Sequence, residues 1–218
     1  MDFLTAIKDW FVEFGNKFYN TFIVENRWTY LVIGIILGFI VAIIRSTNQR
    51  TGKLKVPNFI CRIYLTVFRG TPMVVQLLII YFVIFGSVNI SKVLVAVIAF
   101  GLNSAAYVAE IVRSGIMSVD NGQFEAGASL GFGYTKTMIS IILPQALRNI
   151  LPALGNEAIV LLKETSVACY VAVNDLTRGG EIIRGATYQQ LLPLLAVAII
   201  YLLLVMFFSW LVGKLERR

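Results

Sequence analysis

The sequence contains no histidine and only two cysteines, and just 14% of its 218 residues are charged. Each scarcity excludes something. Without histidine no His-based catalytic triad can be assembled, and a conventional zinc site lacks its usual nitrogen ligand. Cys61 and Cys169 lie far apart with no companion ligand, so no disulfide framework is indicated. A phosphate-binding loop is missing too. Its nearest approach, Gly131-Phe-Gly-Tyr-Thr-Lys-Thr137, has Thr135 where glycine is required and its first glycine one residue late. The chain therefore lacks the usual means of hydrolysing ATP. Soluble domains are roughly 45–50% apolar and about 25% charged; this chain is 58% hydrophobic with a mean hydropathy of +0.79. That is an integral membrane protein.

What is present reads as an all-α membrane protein with about five spans. Phe3, Leu4, Ile7, Phe11, Phe14, Phe18 and Phe22 recur at helical spacing, so residues 1–27 read as an amphipathic N-terminal helix. Asp2, Lys8, Asp9 and Glu13 interrupt that stretch, which argues against a cleavable signal. The domain proper is expected over 28–218. Its spans fall at about Trp28–Ile44, Gly70–Phe85 (with an apolar approach from Phe59), Val93–Ala109 and Ile150–Val173. The last lies in the charge-free stretch between Arg184 and Lys214.

Orientation follows from the basic residues. Segment 45–69 carries Arg45, Arg50, Lys53, Lys55, Arg62 and Arg69 with no acid, the mark of a cytoplasmic loop. The loop at about 113–148 and the C-terminus with Lys214, Arg217 and Arg218 then share that side, and the N-terminus faces out. These regions hold twelve of the nineteen basic residues. The net charge of +7 is therefore a matter of topology, and no nucleic-acid partner is expected.

Within that loop stands Glu125-Ala-Gly-Ala-Ser-Leu-Gly131, followed by Ile141-Ile-Leu143-Pro144. The order and spacing resemble the EAA motif of ABC importer permeases. Gly127 departs from the pattern, standing where a second alanine is usual, and is expected to weaken the helix slightly. Arg69-Gly-Thr-Pro72 with Gln76, Ala106-Tyr-Val-Ala-Glu110-Ile-Val-Arg113, Gly122-Gln-Phe-Glu125 and Lys163-Glu-Thr-Ser166 are similar to the subfamily importing polar amino acids. The resemblance implies a cytoplasmic coupling helix in which Glu125, Ala126, Gly131, Leu143 and Pro144 meet an ATPase. It implies a permease in a bacterial-type inner membrane, paired with a second permease subunit as homo- or heterodimer. Two separate ATP-binding subunits would bind ATP and Mg2+, and an extracytoplasmic amino-acid-binding protein would deliver substrate. No cofactor is expected in this chain.

The substrate candidates are polar residues set in apolar helices, where an ionisable group costs roughly 2.5–3.5 kcal/mol on insertion scales unless it meets a partner or water. Asn156 and Lys163 lie seven apart, one line along a helix, with Glu157 and Glu164 on the next. Both lines are expected to face the subunit's interior, Lys163 toward a substrate carboxylate and Glu164 toward an ammonium. Pairing with other helices is the competing role. Asn103, Tyr107 and Glu110 make a second face, with Ser104 beside it. Asn103 and Tyr107 serve either substrate or helix–helix hydrogen bonding, and Glu110 can simply pair with Arg113. At Thr71-Pro72 either a carbonyl one turn back is freed for a ligand, or a helix begins with Thr71 as its cap. The rival function from another class is a small channel or secondary carrier using Glu157, Lys163 and Glu164 as an ion path.

Overall fold

A computed structural model describes residues 28–216, with side chains from 34 to 214 except Arg50. The amphipathic reading of residues 1–27 lies outside the described residues. Helix α1 (Trp28–Thr51) leads through Gly52 and Leu54, both at positive φ, into α2 (Lys55–Gly70). Pro72 then breaks the chain. Proline disfavours helical backbone in the residue before it, and Thr71 is extended at φ −120°, ψ 148°. Helix α3 (Met73–Leu78) starts beyond it and continues through a wider turn to Ile84. The axes of α2 and α3 meet at 107°. Within the expected 70–85 a helix runs over Met73–Ile84, but it is long enough for a span only together with α2, from which it is sharply bent.

Ser91 accepts a hydrogen bond from the Leu94 amide (3.2 Å) and caps α4 (Lys92–Met117). The short α5 (Gly122–Ser129) and α6 (Tyr134–Thr137) follow. From α6 the helix runs on through a wide turn at Met138–Ile142 into α7 (Leu143–Glu164) and a tight turn at Thr165–Val171. This fourth span is one apolar helical run of 38 residues, beginning well before the expected Ile150. Asp175 caps α8 (Leu176–Thr187), accepting from the Arg178 amide at 2.7 Å, and burial raises its carboxyl above the usual range. Helix α9 (Leu191–Glu216) closes the chain.

Among the described residues three helices are long and apolar enough to cross a membrane, four if the bent pair counts as one, and α1 adds the shorter apolar stretch Gly34–Gln49. Helix α4 is the axis. Its Val108, Val112 and Ile116 pack with Ala42 of α1 and Ala146 and Ile150 of α7, while Ala106 and Ala109 pack with Cys61 and Leu65 of α2. Its other end, at Val95 and Ala99, meets Leu77 of α3 and Ala168. In lipid, apolar surface alone does not draw helices together, so small residues and close approach matter. A side chain on Gly38 would stand 2.8 Å from Val108 Cγ1 and 2.9 Å from the Ala105 carbonyl, which is why α1 and α4 cross so closely. By contrast, only 6% of α9's most apolar stretch is buried, its close contacts being Val197 against Gly180 of α8 and Val212 against Gly155 of α7.

Candidate coupling and substrate sites

Helix α5 is short but closed at both ends. Asp120 Oδ1 accepts from the Gly122 amide (2.7 Å) before its first turn, and Glu125 sits in that turn, where a negative charge suits the exposed amides. At the other end Phe132 N–H donates to the Gly127 carbonyl (3.0 Å) and Gly131 N–H to that of Ala128 (2.9 Å). These two bonds make a Schellman ending, which needs a left-handed residue. Gly131 supplies it at φ +74°. Glu125, Ala126 and Gly131 are all exposed.

Gly127 has a second role beside the expected weakening of the helix. It is buried, and a Cβ there would fall 2.6 Å from both Cγ2 and Oγ1 of Thr137. The missing methyl makes room for α6 to pack, so the glycine serves contact as much as it weakens the helix. Phe124 and Tyr134 stack beside it with centroids 5.7 Å apart.

The second half of the motif is helical. Leu143 is half-buried and Pro144 exposed; the helical run widens at Met138–Ile142 immediately before Pro144, which has no amide proton to give to the preceding turn and whose ring crowds it. Gln145 Nε2 donates to Gln123 Oε1 (3.3 Å) as well as to the Ile141 carbonyl (2.9 Å), and Asn149 Nδ2 to Ser118 Oγ (2.8 Å). The two halves, about twenty residues apart, therefore share one end of the bundle.

The face of α4 is split among three environments. Asn103 is buried with its Nδ2 2.9 Å from Met73 Sδ, and Ser104 is buried beside it. Tyr107 is half-buried with the Arg69 guanidinium 5.6 Å from its ring centroid. Glu110 joins three helices. It pairs with Arg113 as expected, but also with Arg45 at 2.6 Å, and Arg69 lies 3.7 Å away.

At the α2–α3 bend, the freed carbonyls are already occupied. Gln76 Nε2 lies within donating distance of the carbonyls of Phe68 (2.8 Å) and Thr71 (3.0 Å) and of Thr71 Oγ1 (2.7 Å). Thr71 is exposed, and its hydroxyl donates to Val67 O (2.7 Å) instead of capping α3. Gln76 was missed as a site residue. The signal was a lone amide four residues past Pro72 in an apolar run, the right reach to mend a broken helix. Its Oε1 and Asn103 Oδ1 are both buried without a hydrogen-bond partner, so the joint presents two unused acceptors.

The stripes of α7 differ from expectation. Asn156 and Lys163 are exposed on this chain, and Glu157 and Glu164 half-buried, so the first stripe points outward rather than into the subunit's own interior. Neither Lys163 nor Glu164 has an ion pair or hydrogen bond among the described residues. No such contact links them to Asn103 or Tyr107.

Residues 33–218 match the family model described as "Binding-protein-dependent transport system inner membrane component". The chain belongs to that family. It is 38% identical over 209 residues to the putative glutamine transport system permease protein of Rickettsia typhi, covering 93% of this chain and 95% of that one. It is 39% identical over 189 residues to the arginine transport system permease protein of Bacillus subtilis, covering 86% and 84%. Among solved structures, a chain of an amino acid ABC transporter crystallised with histidines superposes with a TM-score of 0.84 at 38% identity, over 100% of this chain and 99% of that one. The chain is a membrane component of such a transport system, consistent with its apolar helices.

Proposed function

We propose that this chain is the permease subunit of an ATP-driven importer for polar or basic amino acids, working with a second permease subunit, two cytoplasmic ATPases and an extracytoplasmic binding protein. The observation that carries the reading is α5: an exposed eight-residue helix, closed at both ends and slung between α4 and α7. Such a helix is a rigid knob that a partner can push. Closure of the ATPases on ATP moves α5, and the contacts from Gln123 to Gln145 and from Ser118 to Asn149 pass the push to α7. The spans then rock between inward- and outward-facing arrangements.

Substrate is held midway by Asn103, Ser104, Tyr107, Thr71, Asn156, Lys163 and Glu164, with Gln76 added at the joint. The unused Oδ1 of Asn103 and Oε1 of Gln76 suit an ammonium or amide donor. The outward face of α7 is covered by the second permease subunit, since a bare Lys163 facing lipid would be costly. An ion path through Glu157, Lys163 and Glu164 is disfavoured, because the family is one of binding-protein-dependent transport.

The deciding experiment is co-purification with a candidate ATPase, followed by ATP hydrolysis in liposomes. The binding protein with its amino acid should stimulate hydrolysis. A chain that carries amino acid without any ATPase would overturn the proposal. The proposed topology has the N-terminus outside and the loop around α5 in the cytoplasm. In a cysteine-free background, a cysteine at exposed Asn89 should react with an impermeant thiol reagent from outside. One at exposed Asn121 should not, and outside labelling there without detergent would reverse the orientation.

A further inference from the structure

Helix α2 has three faces. Cys61 and Leu65 are buried, with Tyr64 and Phe68 packed alongside. Val56, Phe59, Ile60, Ile63 and Val67 form a stripe at three- and four-residue spacing, each between 50% and 71% exposed. Between these faces run Arg62, Thr66 and Arg69, again three and four apart. These three line a cavity of about 520 Å³, shared with Arg45, Tyr107 and Glu110.

The charge in this cavity does not balance. Arg45, Arg62 and Arg69 face it with Glu110 as the one carboxylate, and Glu110 is already shared among Arg45, Arg113 and, at 3.7 Å, Arg69. Arg62 has no ion pair among the described residues and is exposed. Exposed Lys53 and Lys55 add positive charge at the start of the helix. A guanidinium pair beside an unpartnered apolar stripe meets two demands at once: an anion for the arginines and hydrocarbon for the stripe. A soluble anion satisfies only the first.

We propose that this cavity binds the phosphate of an anionic phospholipid. Arg62 and Arg69 donate to the phosphate oxygens, for which the planar guanidinium fork is suited. Thr66 supplies a hydroxyl, and the acyl chains lie along Val56, Phe59, Ile60, Ile63 and Val67. Juxtamembrane basic residues beside an amphipathic helix face bind anionic lipid in this way. This inference does not depend on what the chain transports.

The test uses the purified full chain in neutral detergent, titrated with phosphatidylglycerol or phosphatidylcholine and read by native mass spectrometry. Wild type should retain phosphatidylglycerol in clear preference to phosphatidylcholine. Arg62→Gln should lower phosphatidylglycerol retention by about tenfold, the loss expected for a charged hydrogen bond, and leave phosphatidylcholine retention unchanged. Because Arg62 is exposed and unpaired, this variant leaves the packed faces of α2 untouched. Lys92→Gln, at the exposed start of α4, should behave as wild type. Equal retention of the two lipids by wild type, or full phosphatidylglycerol retention by Arg62→Gln, overturns the site. Displacement of phosphatidylglycerol by inorganic phosphate at the same concentration would show a soluble-anion site and overturn the lipid assignment.

Discussion

Helix α5 and the polar stripe of α7 were both singled out by sequence, yet they relate to the fold in opposite ways. Everything that shapes α5 lies within a short reach of chain: the Asp120 turn before it, Gly131 after it, Thr137 against Gly127. Its geometry is complete in one subunit. The α7 stripe is the reverse. Its helix is regular, as spacing required, but Asn156 and Lys163 end in open surroundings and Glu164 has no ion pair or hydrogen bond among the described residues. What a local motif specifies is a shape; what a polar stripe specifies is a requirement for cover, met outside the chain.

Gly131→Arg breaks the first half of that comparison and should have the largest effect. Arginine there brings two penalties: left-handed backbone, worth roughly 1–2 kcal/mol, and a charge with bulk on the exposed end of α5. Gly131→Ala brings only the first, since nothing lies within 4 Å of a Cβ at that site. Binding-protein-stimulated ATP hydrolysis should fall about a hundredfold with arginine, near 2.7 kcal/mol, and far less with alanine, both variants still inserting. Equal losses in the two would mean that the turn, and not the contact, matters. Wild-type stimulation in Gly131→Arg would remove α5 from the coupling surface.

Glu164→Gln probes the other half at smaller magnitude. The change keeps size and removes charge, so uptake should weaken by about tenfold, as for a charged hydrogen bond of roughly 1.5–3 kcal/mol. Basic amino acids should suffer more than neutral ones if Glu164 reads the side chain, and both should fall together if it reads the shared ammonium. Normal transport of every amino acid by a well-expressed Glu164→Gln would leave this carboxylate as a packing or interfacial charge. Uptake into liposomes decides it.

The contrast also explains what was legible beforehand. Composition and charge-free runs disclosed the helical membrane class, and the charge-free stretch after Arg184 led directly to α9. The 107° bend is not foreseeable because Pro72 fits equally well at a plain helix start; Gln76 reaches the freed carbonyls of Phe68 and Thr71 from eight and five residues away. The fourth span is longer than the sequence suggests because its start, α6 with the wide turn at Met138–Ile142, has the composition of a loop around a motif. Spacing places Glu110 on a polar face with Asn103 and Tyr107, or in an i,i+3 pair with Arg113. Its link to Arg45, 65 residues earlier, belongs to helix packing that spacing within α4 cannot encode.

The smallest predicted effect is also the sharpest on local shape, because its sign should reverse. Gly127→Ala involves two opposed terms. Alanine is a better helix former than glycine by about 0.8–1.0 kcal/mol, which was the sequence-based ground for viewing Gly127 as a weakness. Against this, the new methyl would meet Thr137 at 2.6 Å on two atoms, and overpacking of a buried site typically costs about 1–3 kcal/mol. The balance should be a destabilisation of about 1 kcal/mol, seen as a lower melting midpoint in detergent. Thr137→Ala removes both clashing atoms. In that background only the Cβ of residue 137 remains close, at 3.2 Å, so the helix-forming term should outweigh the contact and Gly127→Ala should raise the midpoint. A double-mutant cycle over the four proteins isolates the contact from the propensity. If Gly127→Ala stabilises the wild-type background as well, the close approach of α5 to α6 is not what keeps glycine at this position.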